Sequence, residues 1–310
     1  MSGPNSSRSA ELATRRARLT TYWSAPDRPP AHHILEKGLI HLRGISLLPP
    51  RAGQLDEGYP FAVPAVAALR AAPLDFDAPV TFLVGENGSG KSAILEGLAC
   101  AAGSIAIAGD DPRRDPTLAA ARALGDRLRL IWRARTQRGF FLRAEDFFGF
   151  AKYISALRAG LERDLAELNA EPGPETYGRG LARGVYLKEL GHLRQTDSTV
   201  NESSHGESFL ELFQRRFAPR GLYLLDEPEA PLSPVRQLAL LALLREMTGA
   251  GESQFIIATH SPILMAFPGA MIYNLDGGTP RPVAWGDLEH VALTRDFLND
   301  PDAFLRRLAE

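Results

Sequence analysis

Apolar positions along this chain gather into short, nearly unbroken runs separated by longer stretches of mixed character. "LIHLRGISLL" (39–48), "APVTFLV" (78–84), "GLYLLDEP" (221–228) and "SQFIIATHSP" (253–262) carry the dense aliphatic and aromatic content of buried strands. Helical patterns cover 92–103, 151–170, 207–217 and 234–248, and a strand with a hairpin is predicted near 270–278. Asp300 and Pro301 suit the N-cap and first position of a last helix. Strands alternating with helices at both ends predict an α/β fold with a mixed sheet core. From about 104 to 203 the pattern loosens, which predicts an inserted helical and β lobe. Residues 1–30 are polar and proline-dotted and predict a flexible N-terminal tail, leaving 31–310 as a single domain.

Composition narrows the class only a little. An apolar fraction of 45% and a charged fraction of 23% are ordinary for a soluble globular chain, so membrane insertion is not expected. The most apolar helix, "QLALLALL" (237–244), is too short to cross a bilayer. A net charge of −2 confines any affinity for nucleic acid to a local patch. Cys100 is the sole cysteine and there is no apolar leader, so a cytoplasmic setting is expected.

Candidate chemistry enters at "VGENGSGKSA". Gly85, Glu86, Asn87, Gly88, Ser89, Gly90, Lys91, Ser92 and Ala93 spell Gly-x-x-x-x-Gly-Lys-Ser with an apolar strand before it and a helix after it. That context makes a phosphate-binding loop: glycines let backbone N–H groups converge, and the helix N-terminus adds partial positive charge. Lys91 would reach the β- and γ-phosphates of ATP, and Ser92 would ligate Mg²⁺.

A second strand delivers Asp226 and Glu227 at its C-terminal tip, where open α/β sheets keep their ligands. Asp226 suits Mg²⁺ held through water, and Glu227 suits a base acting on attacking water. A third strand ends in Thr259, His260 and Ser261, which makes His260 a candidate contact to a γ-phosphate.

Between the phosphate loop and Asp226 stands "SSHGESFL" (203–210). As a hydrolase cluster it fails, because adjacent side chains diverge and a triad is defined by spatial geometry. Ser204 lies 22 positions before Asp226, and His260 lies 34 after it. This order and spacing resemble the ATP-binding-cassette class of P-loop NTPases, with SHGES in the place of that class's signature. The wording "YPFAVP", "GENGSGKS", "GFFLRAEDFF", "SHGESFLELF", "DEPEAPLSP" and "ATHSPILMAFPGAMIY" is similar to stand-alone bacterial ATPases related to SMC- and RecF-like heads.

The resemblance covers roughly residues 35–310. It implies an ABC-type ATPase head in which two protomers sandwich two ATP molecules, each protomer offering Ser204 and Gly206 to its partner's γ-phosphate. His205 stands where the class commonly has a glycine. The class's glutamine loop maps to Gln137 or Glu145, with the family-like wording centred on Glu145. Tyr59, 26 positions before Gly85, is open to two roles, adenine stacking or core packing.

Ser92 to Ser204 spans 112 residues, too few for the long antiparallel coiled coil of SMC proteins. Within it Arg127, Arg129, Arg133 and Arg135 alternate with Leu128, Leu130, Trp132 and Ala134, a period-2 pattern with one basic face. That face either pairs with the acidic helix carrying Glu162, Asp164 and Glu167 or contacts a nucleic-acid backbone.

Together these features lead to the expectation of a Mg²⁺-dependent ATPase that forms a homodimer on ATP and acts on an unidentified protein partner. Two alternatives remain open: a non-hydrolysing ATP-sensing module of a nucleic-acid or defence complex, or the cassette subunit of a transporter.

Overall fold

Strands with no polar face require cover on both sides, and three runs meet that condition. β3 (Val80–Val84), β6 (Leu222–Asp226) and β7 (Gln254–Ala258) are buried at every position, as expected for parallel strands sandwiched between layers. They form the centre of a six-stranded sheet of order β5-β6-β7-β3-β8-β9. β5 (Phe141–Leu142), β6, β7, β3 and β8 (Met271–Asn274) are parallel, and β9 (Arg281–Pro282) returns antiparallel to β8. A second, antiparallel sheet has the order β2-β1-β4, from Leu74–Asp75, Leu42–Leu47 and Leu128–Trp132. The mixed α/β core expected from the pattern is therefore present. This computed structural model describes residues 39–50, 57–104, 116–143, 159–170, 180, 183–188, 190, 210, 213, 214, 216–249 and 252–308. Residues 36–310 form one compact unit, and the expected tail lies outside the described residues.

The helices complete the layers. α1 spans Pro64–Ala68, α2 Lys91–Ala102, α3 Ala119–Gly125, α4 Pro234–Gly249, α5 Pro262–Met265, α6 Glu289–Asn299 and α7 Pro301–Leu308. Asp300 Oδ1 accepts from the Ala303 N–H, the cap expected for α7. α2 and α3 pack tightly through small residues: a Cβ on Gly97 would stand 2.7 Å from the Leu124 side chain.

Residues 116–143, read as part of an insertion beginning near 104, run through the core: α3 lies on α2, β4 pairs with β1, and β5 joins the main sheet beside β6. β4 lies within the alternating stretch read over 127–135, and its alternate positions Arg129 and Ile131 are exposed.

Two linkages brace the starts of β6 and β7. Gln254, fully buried on β7, accepts from the His41 and Leu42 N–H groups (2.9 and 2.8 Å) and donates to Leu42 O (2.8 Å), joining the two sheets. One position further along the same end, Tyr223 stacks on Phe255 with centroids 4.9 Å apart, and Phe217, Phe213 and Phe140 surround them. The Tyr223 hydroxyl donates to Ala218 O (2.6 Å), tying the chain after Phe217 to the core.

Candidate functional site

The phosphate loop leaves β3 and enters α2 through three left-handed glycines, Gly85 (φ 146), Gly88 (φ 83) and Gly90 (φ 104). The positive φ favours glycine at position 85, where a Cβ would also press on the Ser89 hydroxyl (2.8 Å) and the Asp276 carboxylate (2.9 Å). Lys91 folds back over the loop, donating from Nζ to Gly85 O (2.8 Å) and Glu86 O (3.0 Å). Burial lowers its pKa, while the charges of Glu227, Asp226, Asp276 and Glu86 oppose that shift. The Ser89 hydroxyl is buried without a hydrogen-bond partner. The loop is thus a walled, donor-rich cradle.

Asp226 and Glu227 emerge where β6 ends, beside that loop. Ser92 Oγ donates to Asp226 Oδ1 across 3.2 Å. Burial drives the Asp226 carboxyl up to about 7, with Glu227 and Glu96 adding to the rise and the Ser92 hydrogen bond and Lys91 restraining it. A carboxylate so desolvated is primed to gain from a bound cation. Glu227 adopts a left-handed backbone (φ 47), an uncommon choice for a residue with a side chain and one that clusters at functional sites. Its N–H still donates to Ala258 O (2.9 Å), so the turn begins directly after the last ladder bond.

β7 contributes the third wall. His260 Nε2 lies 3.8 Å from Glu227 Oε1 and is buried without a hydrogen bond. β7 lies between β6 and β3, so its tip stands between the acidic pair and the phosphate loop. Ser92, Asp226, Glu227 and His260, widely separated in the chain, are thereby brought to one edge of the sheet.

Sequence reading missed several participants. Asp276, just past β8, accepts from the Glu86 N–H (2.8 Å) and pins the phosphate loop from the side. Its only signal was an acid in the turn after a predicted strand. Glu229 accepts from Thr259 Oγ1 and from the His260 N–H, and its sole mark was an acid two positions beyond Glu227. Gln237 on α4 accepts from the Ser261 hydroxyl, while that same oxygen caps α5. His290, in the first turn of α6, has a buried Nε2 without a hydrogen-bond partner.

Ser204, Gly206, His205 and Glu145 lie outside the described residues. Arg143, two positions before Glu145, pairs with Glu96 on α2 at 3.3 Å. Tyr59 is 64% exposed, which removes the core-packing alternative for it.

The arginine face is smaller than its pattern. Arg129, Arg133 and Arg135 are exposed. Arg127 is buried, donates to Leu48 O (2.6 Å) and stacks over the Phe61 ring at 5.2 Å, so it holds two segments together and does not belong to the basic surface.

Two family models match parts of this chain. Residues 209–266 match the family described as "AAA domain, putative AbiEii toxin, Type IV TA system", and residues 66–121 match a second AAA domain family. These matches take in the helix after the phosphate loop and the Asp226, Glu227 and His260 positions, and they bear out the resemblance to P-loop ATPases. No curated protein matches the chain.

Among solved structures, an ATP-binding cassette of an ABC transporter in its ADP conformation is 16% identical, covering 87% of this chain and 99% of its own, with a TM-score of 0.40. The Smc head domain from Pyrococcus furiosus, with an extended coiled coil and bound to the C-terminal domain of ScpA, is 11% identical (78% and 96% covered, TM-score 0.36). A dimeric bacterial ABC transporter cassette is 16% identical (69% and 89%, TM-score 0.36).

Proposed function

We propose that this chain is a Mg²⁺-dependent ATPase whose nucleotide lies between two copies of the protein. The observation that carries this reading is the convergence of three strand tips on one cradle. Ser92 touches Asp226 at 3.2 Å, and His260 faces Glu227 at 3.8 Å.

The residues present fit the ligand. The loop offers backbone N–H groups, a buried lysine and a buried unpartnered hydroxyl to a polyanion. Among the described residues no cluster of three or more His, Cys, Asp or Glu could hold a metal alone. Ser92 and Asp226 instead suit a hard cation completed by phosphate and water oxygens. When bound, Mg·ATP supplies a phosphoanhydride whose terminal phosphoryl group passes to water, with the cation offsetting charge on its oxygens.

The chain's own residues divide the remaining work. Lys91 releases the Gly85 and Glu86 carbonyls and turns its ammonium to the phosphates. Ser92 and Asp226 hold the cation. Glu227, half-buried at the end of β6, orients the attacking water and accepts its proton at a carboxylate oxygen. His260 sets its Nε2 against the terminal phosphate and the Glu227 side. The partner's Ser204 and Gly206 complete the site, so ATP draws two protomers together and its hydrolysis releases them. That cycle would drive an as yet unidentified protein partner. Among the described residues no helix is long and apolar enough to cross a membrane.

The test is Glu227→Gln. The variant is expected to bind ATP as the parent does, lose turnover by at least ~100-fold, and double its mass in ATP but not in ADP. Hydrolysis at the parent rate would overturn the role of Glu227, and a monomer in saturating ATP would overturn the shared site.

A further inference from the structure

His260 sits just beyond the end of a parallel ladder, where its backbone needs an acceptor that the neighbouring strand does not provide. Along β7 alternate residues address β3 and β6. The Thr259 N–H goes to Leu83 O on the β3 side (3.2 Å). The next N–H, that of His260, points to the β6 side. There the chain has turned away at Glu227, in its left-handed conformation, and no main-chain carbonyl continues the ladder.

Glu229 fills that place with a side chain. Its Oε1 accepts from the His260 N–H at 2.8 Å and from Thr259 Oγ1 at 2.7 Å, and Thr259 Oγ1 in turn accepts from the Ser261 N–H at 2.9 Å. One oxygen therefore anchors three consecutive residues of the loop that carries the imidazole. The second oxygen, Oε2, is buried and has no hydrogen-bond partner. Burial also raises the Glu229 pKa, against the Thr259 and backbone hydrogen bonds that lower it. An acid kept in so dry a position with half its acceptors unused is costly unless its placement matters.

We propose that Glu229 is a positioning residue for His260: it extends the β6 ladder by a side chain and thereby sets the imidazole opposite Glu227. This rests on the reading of His260 as a contact to the terminal phosphate. Because Glu227 and Glu229 flank a single proline, any shift of the segment after β6 moves the water-orienting acid and the phosphate-facing imidazole together. Ser261 and Gln237 form a separate clamp further along, which holds the start of α5 and leaves the His260 N–H to Glu229.

The full-length protein tests this with Glu229→Gln, which keeps an acceptor oxygen at the same reach, and Glu229→Leu, which keeps bulk alone. The first readout needs no nucleotide: amide hydrogen exchange at His260 and Ser261, followed by NMR. Exchange at His260 is expected to rise at least ~10-fold in Glu229→Leu and to stay near the parent value in Glu229→Gln. The second readout is the ratio of affinities for AMP-PNP and ADP, expected to fall toward unity in Glu229→Leu while ADP affinity holds.

Should the leucine variant not fold, Glu229→Asp keeps the charge and shortens the reach, and its His260 exchange is expected to rise in the same direction. Parent-like exchange in the leucine or aspartate variant overturns the proposal. So does a glutamine variant that exchanges as fast as the leucine one. A parent protein that does not distinguish AMP-PNP from ADP would instead refute the reading of His260, and the exchange measurements would still decide the role of Glu229.

Discussion

Ser92 and Asp226 stand 134 positions apart in the chain, yet the serine hydroxyl donates to the carboxylate across 3.2 Å, joining the first turn of α2 to the tip of β6. The acid it meets is buried and held at a pKa of about 7, against 3.8 for the free group. The folded protein therefore binds this proton more tightly than the unfolded chain does. Stability from this group is full below the unfolded value and is lost as pH rises toward the folded one.

Asp226→Asn removes that loss while keeping a hydrogen-bonding group beside Ser92. In EDTA and without nucleotide, the variant is expected to be more stable than the parent at pH 8, by on the order of a few kcal/mol. The gap should narrow as pH falls toward 5. Denaturant titrations at the two pH values measure it, and a gap independent of pH would remove the buried acid as its cause.

Gln254 carries the junction between the sheets through three hydrogen bonds to His41 and Leu42, all buried. Gln254→Leu strands two N–H groups and one carbonyl, each worth about 1–3 kcal/mol when buried unpaired. A loss of at least ~3 kcal/mol in chemical denaturation is expected. A shift below ~1 kcal/mol would mean that β1 finds other partners.

Tyr223→Phe tests the anchor of the chain after Phe217. The ring stack on Phe255 survives, while the Ala218 N–H and carbonyl lose the hydroxyl that each contacts within 2.7 Å. A cost of about 1–2 kcal/mol is expected, with faster amide exchange at Ala218. Unchanged exchange there would show that the hydroxyl is dispensable.

Arg129→Glu combined with Arg133→Glu reverses two charges on an exposed strand face. If that face contacts a phosphate backbone, generic duplex DNA should bind the parent with a salt-dependent affinity. The double variant should then lose about two units of the log–log salt slope. Parent binding that is indifferent to salt would end the nucleic-acid reading.

The site was legible in sequence where chemistry is local. The glycines, Lys91 and Ser92 are contiguous, and Asp226, Glu227 and His260 follow apolar runs that can only be buried strands. Arg127 shows the limit: it shares its neighbours' period, and only the approach of Leu48 and Phe61 turns it inward. β4 was legible as an alternating strand, but its partner was not: only the fold places it beside β1.

What the sequence determined by itself was the central strands, several of their helices and the chemical groups at the strand ends, because residue spacing and hydrophobic period are properties of neighbours along the chain. Tertiary structure alone decided which groups meet. Asp276 reaches the Glu86 N–H from 190 positions away, Glu229 replaces a missing ladder acceptor beside His260, and Gln254 closes one sheet on the other from 212 positions away. Each contact joins groups from separate elements, from the exposed Glu86 N–H to the fully buried Gln254, and no local pattern encodes the partner's identity. Their pairing is settled only when the core closes and every buried donor must find an acceptor.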